Sequence, residues 1–148
     1  MDNNVIHKEI DLIQACINRM ANNSFMLKGW MVTLVAAIIA LLSDKVSLIV
    51  ITSIASGIIL CFWYLDAFFL KTEKLYRRKY EWVIKVRLNG NSDFLYDLNP
   101  YNKKMWEDPN ESIPTLFRVM FTNTLIPFFG IPLFCGIFIL VLAILKIL

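Results

Sequence analysis

The sequence is poor in the residues from which active centres are built. It has one histidine (His7), five scattered glycines and three cysteines in 148 residues. It contains no G-x-S-x-G nucleophile turn, no glycine-rich phosphate loop, no H-E-x-x-H pair and no convincing spaced pair of carboxylates. The chain is therefore expected not to be an enzyme, and neither catalytic residues nor a cofactor are assigned. Cys16, Cys61 and Cys135 lie far apart, and any pairing leaves one thiol over. Without metal-ligand spacing they read as small apolar packing residues, and no metal site is assigned.

Charge is also scarce, and its absence is concentrated. Apolar residues make up 57% of the chain and charged ones 18%, against about 45–50% and about 25% in soluble domains. Between Gly29 and Leu42 the only polar side chain is Thr33; Val46–Leu65 and Val119–Leu145 carry no charge. A bilayer core takes about 20 apolar residues per helix. The last two runs reach that length, and the first reaches it with Lys28 snorkelling from its end. A soluble chain this short lacks the surface to wrap three such runs. The first run follows residues carrying three acids and three bases, and no small-residue cleavage site comes after it, so it reads as a retained span rather than a signal peptide.

The expected fold class is an all-α integral membrane protein. It comprises an amphipathic N-terminal helix (1–28), a transmembrane helical hairpin (29–70) with a cytoplasmic helical extension, a basic cytoplasmic segment (71–112) and a kinked C-terminal transmembrane helix (113–148). Asn3 or Asn4 can cap the first helix. Ile6, Ile10, Ile13, Ile17 and Met20 recur as a heptad-type seam, with Lys8, Glu9, Asp11, Asn18 and Arg19 assigned to other faces. Two heptads are too short for a free coiled coil. The seam must pack on the chain's own cytoplasmic segment or on copies of itself, or else lie on the membrane.

The polar turn Ser43-Asp44-Lys45 forces an antiparallel hairpin. Phe62-Trp63-Tyr64 reads as an aromatic belt at the far interface. Helical periodicity continues to about Arg87, and Asn89-Gly90-Asn91 ends it. Residues 91–112 read as irregular, Ser112 with Pro114 as a helix start, and the last helix as one kinked span running to the C-terminus, with a re-entrant pair as the alternative. Residues 71–118 hold ten of the fifteen basic side chains, residues 1–28 three, the 43–45 turn one, and the tail only Lys146. That asymmetry predicts a cytoplasmic N-terminus and middle segment, with the C-terminus outside.

Three groups of residues are candidate sites. Asp66 lies in an otherwise apolar stretch, where a carboxylate needs a partner or water; Arg19 and Lys28 are the candidate cations. A structural ion pair or a solvated interfacial acid is the plainer reading. Arg19, Asn22, Asn23 and Ser24 could ring a pore mouth if copies assemble about an axis, or simply bond between helices. Lys74, Tyr76, Arg77, Arg78, Lys79, Tyr80 and Trp82 mix cations with aromatics. They suit a phosphate-bearing ligand with stacked bases, or, more plainly, the anionic lipid beside a span.

Two stretches carry a resemblance: Arg19–Trp30 (RMANNSFMLKGW) and Phe62–Leu70 (FWYLDAFFL) with its continuation Glu73–Arg78 (EKLYRR). Together they resemble a group of small bacterial membrane proteins, among them Hailong-like membrane effectors of anti-phage systems that are paired with a nucleotidyltransferase. The resemblance covers about residues 10–88; the last helix matches only in being apolar. It implies a multi-pass protein of the cell inner membrane, an oligomeric ion-conducting effector held shut until infection. It also implies a nucleotidyltransferase, or its nucleotide product, as partner. The leading expectation is thus a homo-oligomeric channel that depolarises the membrane. In it Asp66 and the Arg19–Ser24 cluster line or gate the mouth, and the basic segment receives a nucleotide or protein signal. The alternative is a membrane anchor recruiting a soluble partner through residues 71–112; a small transporter subunit ranks last.

Overall fold

Between Asn3 and Leu42, and again between Leu48 and Leu88, there is no proline and only one glycine each. Each stretch folds as one unbroken helix, α1 (Asn3–Leu42) and α2 (Leu48–Leu88), in the computed structural model, which describes residues 3–145. At 40 and 41 residues each is about twice the ~20 that cross a bilayer. The polar turn at 43–45 closes α1, with Lys45 N donating to Leu42 O at 3.0 Å. Gly90, at φ +77°, caps α2: its N–H bonds Arg87 O (3.0 Å) and that of Asn91 bonds Val86 O (3.3 Å), the paired bonds of a left-handed glycine cap.

The remainder is short helix and turn: a 3-10 turn at Lys103–Met105, α3 (Leu116–Met120), a π turn at Ile126–Gly130, and α4 (Ile131–Ile144). No strand occurs among the described residues, and α1, α2 and the Ile126–Ile144 run are each long and apolar enough to cross a membrane. The chain divides into two compact units, residues 1–23 with 69–114 and residues 24–68 with 115–148.

In the first unit the isoleucine seam is already occupied. Ile13 is fully buried, and with Cys16 and Ile17 it packs on Tyr76, Val83 and Met105, flanked by Ile10, Met20 and Leu98. Of the alternatives open from the sequence, the stripe takes the chain's own segment as its partner. Glu9 departs from the expected pattern: it is 0% exposed rather than on an outer face. It lies one turn before Ile13, so it shares the seam's side of α1. Ile13→Asp is therefore expected to unfold this unit, costing at least the about 2–5 kcal/mol of an Ile→Ala cavity. Loss of the cooperative thermal transition in detergent would show this; a changed assembly mass with the transition intact would contradict it.

Residues 91–112 have almost no regular structure, yet they are pinned by their own side chains. The side-chain oxygens of Asn91, Asp97, Asn99, Asn102 and Asp108 each accept the N–H two residues on, at 2.7–3.2 Å. Such Asx turns replace the missing ladder bonds. Phe94 (φ 56°) and Tyr96 (φ 59°) take left-handed backbone that bulky residues rarely adopt.

In the second unit the last apolar run is interrupted before it becomes a span. Helix begins at Leu116 rather than near Ser112. Pro114 biases Ile113 away from helix, and Thr115 supplies the cap, its Oγ1 accepting from Arg118 N at 3.3 Å. The chain leaves helix again at Phe121 and re-enters through the π turn that contains Pro127, so the run long and apolar enough to cross a membrane is Ile126–Ile144, 19 residues. The expected continuation to the C-terminus falls on residues 146–148, Lys146 among them, outside the described residues. Trp63, assigned above to an aromatic belt, is instead 6% exposed. Its Nε1 donates to Met120 O at 3.1 Å, its ring stacks on Phe129 (6.3 Å) and meets Phe121 edge-on (5.6 Å). Breaking the helix after α3 frees the Met120 carbonyl, and the buried indole meets it. Tyr64 is 52% exposed.

Candidate functional site

Asp66 is 0% exposed, one turn beyond Trp63 on α2 and beside Ala67, also fully buried. A carboxylate so placed must meet a donor. Of its two candidate cations Lys28 is the one that does: Lys28 Nζ bonds Asp66 Oδ2. The ammonium also donates to Ser24 Oγ at 2.8 Å and Ser24 O at 3.5 Å, one turn back on α1, and stands 6.0 Å from the Phe128 ring centroid. Asp66 remains under-bonded, for Oδ1 is buried with no hydrogen-bond partner among the described residues. Lys28 is 24% exposed and can swing its head into water, whereas Asp66 has no such exit.

Of the pore-mouth group, Ser24 (8% exposed) thus joins Lys28 in the Asp66 cluster. Arg19 and Asn22 are exposed and Asn23 is half-buried, all three in the other unit.

The cation–aromatic group is largely committed to folding the first unit. Arg77 pairs with Glu73 at 2.7 Å and Arg78 with Glu111 at 2.5 Å. Arg78 also lies 5.2 Å from the ring of Trp106, which Lys103 faces at 5.7 Å. Trp106 is 2% exposed, its Nε1 donating to Pro100 O at 3.3 Å, so these cations stack on a core indole. Tyr76 is buried, and burial together with Cys16 pushes its phenol up. Trp82 packs near Arg87 (5.9 Å) and Phe94 (6.4 Å), and Lys74 is exposed. Arg77 and Tyr80 do share a cavity of about 420 Å³ with Gln14, Asn18 and Glu81. Gln14 Nε2 donates to Tyr80 Oη across it at 3.2 Å. Among the described residues no three His, Cys, Asp or Glu side chains converge as a metal site would require.

Lys79 is wholly buried, its Nζ donating to Asn99 O at 2.9 Å with Asp97 Oδ1 at 3.4 Å. Burial pushes its ammonium below the usual lysine range, and Asp97 pulls it part of the way back. Burial raises the Asp97 carboxyl, but donors from Asn102, the Asn99 backbone and Lys79 outweigh it and hold the group below its ordinary 3.8. A carboxylate depressed on folding adds stability above its unfolded value and loses it as pH falls through the folded one. The first unit should therefore lose stability as pH drops below about 3.8, and Asp97→Asn should flatten that acid limb. Thermal midpoints across an acid series test this; an unchanged limb in the variant assigns the loss to other carboxylates.

Sequence reading missed the most heavily bonded group. Glu9 accepts from Arg87 twice (Nε to Oε2 2.7 Å, Nη2 to Oε1 2.9 Å) and from Tyr96 N at 3.0 Å. Arg87 also donates to Asn91 O and Asp93 O at 2.8–3.0 Å, and both side chains are 1% exposed. The available signal was Glu9's place one turn before Ile13 on the seam, and Arg87's one turn after Val83. In comparison with known proteins, no family model, no curated protein and no solved structure matches the chain.

Proposed function

We propose that the chain is a multi-pass inner-membrane protein that assembles into a homo-oligomeric channel or pore-forming effector and depolarises the membrane when released. The observation that carries the reading is the Lys28–Asp66 pair, its carboxylate fully buried, inside a unit made of apolar spans. A charge pair there is expensive, half-satisfied and reversible, which suits a latch and poorly suits a stabilising strut. The shallow packing of the spans supports assembly: only 11%, 17% and 6% of their most apolar windows is buried within one chain. The resemblance of Arg19–Trp30 and Phe62–Arg78 to Hailong-like effectors supports a role in anti-phage defence, with a nucleotide or protein signal arriving at residues 71–112.

In this arrangement the N-terminus and residues 71–112 face the cytoplasm and the C-terminus faces outside, as the basic residues favour. Single cysteines at positions 44 and 95, in a chain with its three native cysteines replaced, test this. An impermeant maleimide added to intact cells should modify position 44 alone; modification of both overturns the orientation.

The second reading is a membrane anchor that recruits a soluble partner. The folded character of residues 69–114, with Leu88 82% exposed and Phe94 and Tyr96 about 40% exposed, favours it. Mass measurement in detergent, with a membrane-potential dye in cells expressing the unlatched Asp66→Asn chain, separates the two. A closed multimer and depolarisation support the channel; a monomer and an unchanged potential support the anchor.

A further inference from the structure

Two apolar cavities in the second unit, about 490 and 440 Å³, share Val35, Ile39, Ile59 and Pro132 in their walls, so they form one cleft bounded by α1, α2 and the last span. It extends along α1 from Met31 to Ser43, about 18 Å at 1.5 Å per residue. A single leaflet is about 15 Å deep, half of the ~30 Å hydrocarbon core. The cleft therefore has the length of one extended acyl chain. Water is a poor occupant of so apolar a space.

The Met31 end carries a charge. Phe128 lines the cleft there, and the Lys28 ammonium stands 6.0 Å from its ring, one turn of α1 before the cleft begins. Lys28 spends two contacts on Ser24 and one on Asp66, yet stays 24% exposed. An ammonium has three donors, and the long bond to Ser24 O at 3.5 Å is the one it can give up to a phosphate while keeping the carboxylate. Basic side chains at the ends of clefts between spans recognise anionic headgroups on this basis.

We infer that this cleft binds one anionic phospholipid, an acyl chain lying between α1 and the last span and the headgroup phosphate on Lys28. The inference rests on the membrane-spanning reading but not on conduction, so it stands or falls separately from the channel.

The test uses the full chain, delipidated in detergent and then offered phosphatidylglycerol or phosphatidylcholine of identical acyl chains, with retained lipid read by native mass spectrometry. The parent should retain one phosphatidylglycerol at least several-fold more than phosphatidylcholine. Val35→Phe, which fills the middle of the cleft, should reduce retention of both. Lys28→Gln should erase the headgroup preference while leaving acyl-chain retention. Because that variant strands Asp66, Lys28→Gln combined with Asp66→Asn is measured beside it and should give the same loss of preference. Equal retention of the two lipids by the parent, or a preference that survives the double variant, overturns the assignment. Displacement of the lipid by inorganic phosphate alone would also overturn it, since the acyl chain would then contribute nothing.

Discussion

Cells expressing Asp66→Asn should depolarise without a trigger, while the variant inserts and assembles as the parent does. The amide keeps the shape of the carboxylate and an acceptor oxygen, but it removes the charge that draws Lys28 inward. Lys28 then hydrates at the surface, which its 24% exposure already permits. The converse change should behave differently. Lys28→Met leaves a fully buried carboxylate with its remaining oxygen also unbonded. Stranding one member of a buried pair costs about 3–5 kcal/mol, so this variant should express poorly or lose its fold. Combining the two should restore expression, with a coupling of about 0.5–3 kcal/mol between sites that share one interaction. A membrane-potential dye reads the first effect and the yield of folded protein reads the others. Parental polarisation in Asp66→Asn makes Asp66 a structural acid; failure of Asp66→Asn to fold sinks the latch by a different route.

The second large effect is expected at Glu9 and Arg87, for folding alone. Glu9 accepts three hydrogen bonds and Arg87 donates five, both within a space closed to water. Arg87→Met removes the link between α2 and the Asn91–Asp93 turn and leaves the buried Glu9 with only Tyr96 N as donor. About 3–5 kcal/mol is lost, a large part of the about 5–15 kcal/mol that holds a domain. Glu9→Gln should cost less, since it retains an acceptor. Glu9→Met with Arg87→Met should recover much of the loss, because apolar isosteres replace a buried pair at little cost. Limited proteolysis of residues 69–114 reads all four proteins. Equal resistance in Arg87→Met and the parent would show that the network contributes nothing.

These cases mark what the sequence could and could not disclose. The Asp66 site was legible because an isolated carboxylate among aromatic and aliphatic neighbours demands a cation, and few were within reach of α2's apolar segment. The choice of Lys28 over Arg19 was not legible, because it depends on the turn of α1 that faces Asp66. Glu9 was misassigned because its burial depends on Arg87, 78 residues away, while its neighbours Lys8 and Asp11 are exposed as charged residues normally are. Phe62-Trp63-Tyr64 has the composition of an interfacial belt. What buries Trp63 is the Met120 carbonyl released by a helix break at Phe121, inside a stretch that the sequence reads as one kinked helix. Residues 91–112 looked irregular and are so, but the spacing of Asn and Asp acceptors that orders them becomes evident only once each turn is seen to close.

The most direct measurement of the central claim is ion flux through sealed phospholipid vesicles containing the purified chain and a potassium diffusion potential. Vesicles with Asp66→Asn should lose their potential in proportion to protein content while retaining an entrapped large dextran, and parental vesicles should hold theirs far longer. If Asp66→Asn vesicles stay polarised as long as protein-free ones, the chain is not a channel latched at Lys28–Asp66.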